Sequence, residues 1–142
     1  MASFKSIDDL EVFRISECLA DDVWDAAVGW DHFARSTVGA QLVRAADSVG
    51  ANLAEGHASG SFVEFRRFAL YSRRSLAEVR FFLRRAHKRK LLDQAATESL
   101  QGTMSRLQPK LGAFVKHLDR RAAEKSAKRP RINKSTDQRI NE

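Results

Sequence analysis

The sequence predicts an all-α domain built as an antiparallel, up-down-up-down bundle of four helices. Three observations carry that prediction. The chain holds only two prolines and one tyrosine among long runs of Ala, Leu, Arg and Glu, a composition that favours helix over strand. Apolar residues recur at steps of three and four in four separate segments, as one buried helix face requires. The connections between those segments are short, which sets successive helices antiparallel. With 142 residues and 43% hydrophobic content, the chain is sized for one domain with one core.

The first helix is expected to start at Ser6, whose hydroxyl caps while Asp9 stands at N3. Leu10, Phe13, Ile15, Leu19 and Val23 form its apolar face, and Val28-Gly29 marks its end. Trp30, His32 and Phe33 fall in a connection, and Ser36 or Thr37 is the expected cap of the second helix. Val38, Leu42, Ala45, Val49 and Leu53 are the core face of that helix, and Gly56 is expected to end it as a C′ residue at positive φ. Ser61-Phe62-Val63-Glu64 is a capping box that opens the third helix, which runs to about Lys90. Its seam reads Phe62, Phe65, Ala69, Ser72, Leu76, Val79, Leu83 and Ala86, an alternation of three and four. The fourth helix begins near Asp93 and buries Leu100, Met104, Leu107, Leu111, Phe114 and Leu118, with Pro109 off the seam, kinking the helix without ending it. The bundle is assigned to residues 1–119 and a basic, disordered tail to residues 120–142.

Beside the apolar stripe of the second helix, Gln41, Arg44, Ser48, Asn52 and Glu55 recur at the same period, a ladder of hydrogen-bonding groups. The block Gln41–Gly56 resembles the proteins encoded in intervening sequences of 23S ribosomal RNA genes, whose pattern is approximately Q-x-x-R-A-x-x-S-I-x-A-N-I-A-E-G. Gln41, Arg44, Ala45, Ser48, Ala51, Asn52, Ala54, Glu55 and Gly56 fall on it. A second block, approximately A-R-G-S-L-x-E, is met by Arg73, Ser75, Leu76 and Glu78, with Ser72 and Arg74 in place of the usual alanine and glycine. Gly56-His57-Ala58-Ser59 stands where the family has G-x-G-R. The resemblance covers about Leu10 to Leu118 and implies a four-helix bundle that assembles as a ring-shaped homopentamer. It also implies kinship with accessory proteins of diversity-generating retroelements, which bind RNA and a reverse transcriptase.

The formal charge of +7 divides unevenly. Residues 1–31 carry two basic and eight acidic groups, residues 66–90 carry ten basic and one acidic, and residues 120–142 hold eight basic against three acidic. The first helix is therefore negative, the third strongly positive. Arg66, Arg67, Arg74, Arg84, Arg85, Lys88, Arg89 and Lys90 are the candidate nucleic-acid-binding residues. The competing reading has Asp21, Asp22 and Asp25 of the first helix neutralise them, within the bundle or across a subunit boundary. Gln41, Arg44, Ser48, Asn52, Glu55, Gly56, Arg73 and Glu78 are assigned a structural role, with Arg44 expected near Glu78 and Glu55 near Arg66 or Arg67.

Five of the nine phenylalanines sit on the third helix. Phe68, Tyr71, Phe81 and Phe82 lie outside its seam and are the candidate oligomer interface; the alternative is a wide core that takes in Phe68 and Phe82. Enzymatic signatures are sparse. His32, His57, His87 and His117 make no metal-ligand pattern, so no metal or cofactor is expected. No nucleophile elbow, Walker loop or dinucleotide fingerprint occurs. Arg80 and His87 resemble the Arg-x(4–6)-His signature of HEPN ribonucleases, a remote alternative. The lone Cys18 and the lack of a leader or a run of about 20 apolar residues predict a cytoplasmic protein with no membrane role. The reading is a non-enzymatic homo-oligomer that binds structured RNA or a ribonucleoprotein partner and has no small-molecule substrate. The alternative is an interaction scaffold without nucleic acid.

Overall fold

The computed structural model describes residues 6–128. Ser6 caps and its backbone N–H bonds back to Asp9, but this capping box closes a 3-10 turn, Ile7–Asp9. The first helix proper, α1, is Glu11–Val28. The second helical segment starts earlier than the sequence suggested. Asp31, not Ser36 or Thr37, is the cap: its carboxylate accepts from Ala34 N–H at 3.0 Å. The chain then passes from the turn His32–Ala34 through a π-helical stretch, Arg35–Gly39, into α2, Ala40–Ala58. The Ser36 and Thr37 hydroxyls donate to the carbonyls of His32 (2.7 Å) and Phe33 (2.6 Å), which is the other use of a hydroxyl on a helix. Trp30 folds back over the π-turn, its ring 3.3 Å from where a Cβ on Gly39 would stand.

Helix α3, Phe62–Lys88, is capped by Ser61, and α4, Gln94–Ala127, by Asp93. All eight expected seam positions of α3 are buried, as are all six of α4. Helix α4 runs through Pro109 and past the expected boundary at residue 119 to Ala127. The remainder of the basic tail from residue 129 lies outside the described residues. Helix α3 closes on a Schellman motif: Lys90 N–H reaches the His87 carbonyl and Leu91 N–H the Ala86 carbonyl, both at 3.0 Å. Lys90 adopts φ 61° there, the left-handed conformation usually given to glycine.

The helices form a four-cornered bundle in which α1 packs on α2 and α4, and α3 on α2 and α4. Helices α1 and α3 occupy opposite corners, their backbones not adjacent, and both bury side chains in the common core. Antiparallel pairing of α2 and α3 is seen in two levels: Gly56 meets Phe65 near the turn, and further from it the Ser72 hydroxyl donates to the Val49 carbonyl at 2.7 Å. Gly56 does not end α2, which continues to Ala58; the glycine at positive φ is Gly60, at 69°. Gly56 instead lets α3 approach. A Cβ there would lie 2.7 Å from Phe65 Cδ1, 3.0 Å from Phe68 Cβ and 3.1 Å from Phe65 Cα. Gly50 plays the same part toward α1, where Ser16 Oγ comes within 3.1 Å of the missing Cβ.

Candidate nucleic-acid interface

Helix α3 carries two different flanks, and its seven-residue repeats separate them. Arg66, Arg73, Arg80 and His87 recur at seven-residue steps on the flank toward α4. Arg66 marks that orientation by pairing with Asp119 of α4, and Arg80 and His87 line a groove between α3 and α4. Phe68 and Phe82 recur with Ser75 on the opposite flank, where Phe68 packs on Gly56 of α2. The exposed aromatics do not share that separation: Phe81 falls at the same seven-residue position as Arg67, Arg74 and Lys88, on the outward face between the two flanks.

The predicted nucleic-acid-binding residues mostly face solvent. Arg66, Arg67, Arg74, Arg84, Lys88, Arg89 and Lys90 are exposed and Arg85 is half-buried. Among the described residues, two of them are in ion pairs: Arg66 with Asp119, and Arg67 with Glu64 at 2.7 Å. Arg67 also lies over the Phe68 ring and Arg74 over Tyr71. Among the described residues no ion pair joins α1 to α3, which stand at opposite corners. Among the described residues α1 pairs through Glu11 with Lys110 of α4, at 3.2 Å.

The polar ladder of α2 is an internal chain, not a bridge between helices. Ser48 Oγ donates to the Arg44 carbonyl at 2.8 Å, and Asn52 Nδ2 to the Ser48 carbonyl at 2.8 Å. Arg44, Glu55, Arg73 and Glu78 are exposed, Gln41 half-buried, and neither Arg44–Glu78 nor Glu55–Arg66 or Arg67 forms an ion pair among the described residues. The expected pairs are level along the hairpin but lie on different flanks of it. The cross-helix bond that does form belongs to Ser72, a seam residue.

The exposed aromatics divide likewise. Phe81 is 56% exposed and Tyr71 36%, while Phe68 and Phe82 are half-buried, Phe82 against the core. Across the bundle, Trp24 (56%) and Phe33 (76%) stand out on and just after acidic α1.

Sequence reasoning missed the groove itself. It encloses about 780 Å³ between the C-terminal half of α3 and the N-terminal half of α4. One wall carries the cations Arg80, Arg84, Arg85 and Lys88, with His87 beside them; the other is uncharged, with Thr97, Gln101, Ser105 and Gln108 alongside Leu100 and Met104. The signal was present as the spacing of Gln101, Ser105 and Gln108 on a single helix face, beside the α4 seam.

The same arrangement of helices is found among known proteins. A family model for the 23S rRNA-intervening sequence protein matches residues 8–113 of this chain. The chain belongs to that family. A solved structure from Bacteroides thetaiotaomicron, a protein of unknown function from the S23 ribosomal protein family, superimposes with a TM-score of 0.66 at 17% identity. The superposition covers 74% of this chain and 98% of the other, and at that identity it speaks for the fold. No curated protein matches the chain. Among the described residues no helix is long and apolar enough to cross a membrane.

Proposed function

We propose that this member of the 23S rRNA-intervening sequence family is a non-enzymatic homo-oligomer that binds structured RNA, alone or within a ribonucleoprotein such as an RNA-bound reverse transcriptase, through α3. The observation that carries the reading is the diagonal placement of charge. Acidic α1 and basic α3 stand at opposite corners, so α1 is not placed to neutralise α3 inside the subunit, and beyond Arg66 and Arg67, which pair with Asp119 and Glu64, most of the α3 cations face outward. Such a surface attracts polyanions by releasing their condensed counterions.

The same placement supports assembly. A subunit that offers an acidic, Trp24-bearing side and, across the bundle, a basic side with Phe81 and Tyr71 is suited to head-to-tail contacts, which make a ring where the rotation between neighbours closes. A pentamer is the ring the family resemblance favours. The exposed Phe81 and Tyr71 serve the neighbour, and the α3 cations toward α4 stay available to RNA. A reducing, cytoplasmic setting suits the free, exposed Cys18.

The test is Arg84→Glu combined with Arg85→Glu, read by RNA binding and by mass in solution. The proposal expects unchanged mass and lost binding. Altered mass, with no RNA bound by the wild type, replaces it with a protein scaffold. RNA that is cleaved by the wild type and spared by His87→Ala overturns the non-enzymatic assignment and favours the HEPN-like one.

A further inference from the structure

We infer that the α3–α4 groove receives a single-stranded segment of the RNA, its phosphates against the α3 wall and its base edges against the α4 wall. This inference rests on the RNA-binding reading above and specifies where and what the protein reads. The two walls differ in kind. Arg80, Arg84 and Lys88 rise along α3 in equal four-residue steps, about 6 Å apiece at the helical rise, which suits successive phosphates of an extended strand. A guanidinium engages phosphate oxygens through two parallel N–H donors, so a row of them holds a backbone in register.

Facing that row, Gln101, Ser105 and Gln108 carry no charge and offer both donors and acceptors. Carboxamides are the side chains whose geometry suits the donor–acceptor pairs on base edges, and an uncharged wall adds nothing to plain phosphate attraction. Pro109 sharpens this wall. Lacking an N–H, it cannot donate to the Ser105 carbonyl four residues earlier, which leaves that carbonyl without its usual intrahelical donor at a residue lining the groove. The added acceptor suits the exocyclic amino group of a base.

Double-stranded RNA does not fit this arrangement, because its base edges are turned into its grooves and paired. A loop or bulge with unpaired bases does fit. A groove of about 780 Å³ accommodates a few nucleotides and not a duplex.

The experiment compares a labelled RNA hairpin carrying an unpaired loop with a perfectly paired duplex of equal charge, titrated with full-length protein over a salt series. Two variants are used, both at exposed positions that leave the core intact: Arg80→Gln with Arg84→Gln, and Gln101→Ala with Gln108→Ala. The wild type is expected to prefer the hairpin by at least 10-fold. The arginine variant should weaken binding to both RNAs and flatten the salt slope by about one unit per arginine removed. The glutamine variant should keep the salt slope and the duplex affinity while losing most of the hairpin preference. Binding that the arginine variant weakens but that shows no hairpin preference in the wild type overturns the inference and leaves the RNA-binding reading standing. Unaltered binding by both groove variants, with loss on changing Arg67 and Arg74, likewise moves the site away from the groove. Absence of RNA binding by the wild type overturns both.

Discussion

Replacing Gly56 by alanine isolates the role of the α2–α3 contact. The added Cβ would stand 2.7 Å from Phe65 Cδ1 and 3.1 Å from Phe65 Cα. The ring cannot simply turn aside, since Phe65 is fully buried and packed edge-to-face on Phe114 with centroids 5.1 Å apart. The Cα belongs to the backbone, so α2 and α3 must part by a few tenths of an ångström. Overpacking of this kind costs about 1–3 kcal/mol. Alanine offsets part of that, because it loses less conformational entropy than glycine in a helix, a gain of about 0.5–1 kcal/mol. The expected net loss is about 0–2.5 kcal/mol, up to roughly 8 °C in Tm for a domain of this size. Gly102→Ala and Gly112→Ala on α4 supply the control, for a Cβ at either meets nothing within 4 Å; each should gain about 0.5–1 kcal/mol. Thermal unfolding is followed by circular dichroism at one protomer concentration, since assembly makes Tm concentration-dependent. A Gly56→Ala protein as stable as the two controls would refute the close-approach argument and return Gly56 to a mere end-of-helix residue.

Two further perturbations probe α3 directly. Ser72→Ala removes the buried donor to the Val49 carbonyl and should cost about 1 kcal/mol in denaturant unfolding, with little change in m. Lys90→Gly relieves a left-handed residue at the α3 terminus and should stabilise by about 1 kcal/mol while weakening RNA binding, so that thermal shift and affinity move in opposite senses.

The α3 seam was legible because its three-four alternation is unbroken over eight positions, and each proved buried. The start of the second helical segment was not. Asp31, Ser36 and Thr37 are all acceptable caps, and composition does not tell a hydroxyl that caps from one that bonds back to the preceding turn. Gly56 failed for a related reason: a glycine near a helix end serves a positive φ or a close neighbour equally well, and the neighbour, Phe65, lies on another helix. The ion pairs failed because counting from a turn tells which residues are level, but not which flank each one takes; Arg66 thus found Asp119 of α4 and not Glu55 of α2. The basic wall of the groove was legible as charge, whereas the groove needed the placement of α3 against α4, a property of the assembled bundle.

The measurement that tests the central claim most directly is binding of the purified, nuclease-treated protein to structured RNA from 50 to 200 mM salt, with mass in solution recorded on the same sample. The account predicts an oligomer whose affinity falls on the order of 100-fold across that range, as about five phosphate contacts require. A well-formed oligomer that binds no RNA at 50 mM salt would contradict it.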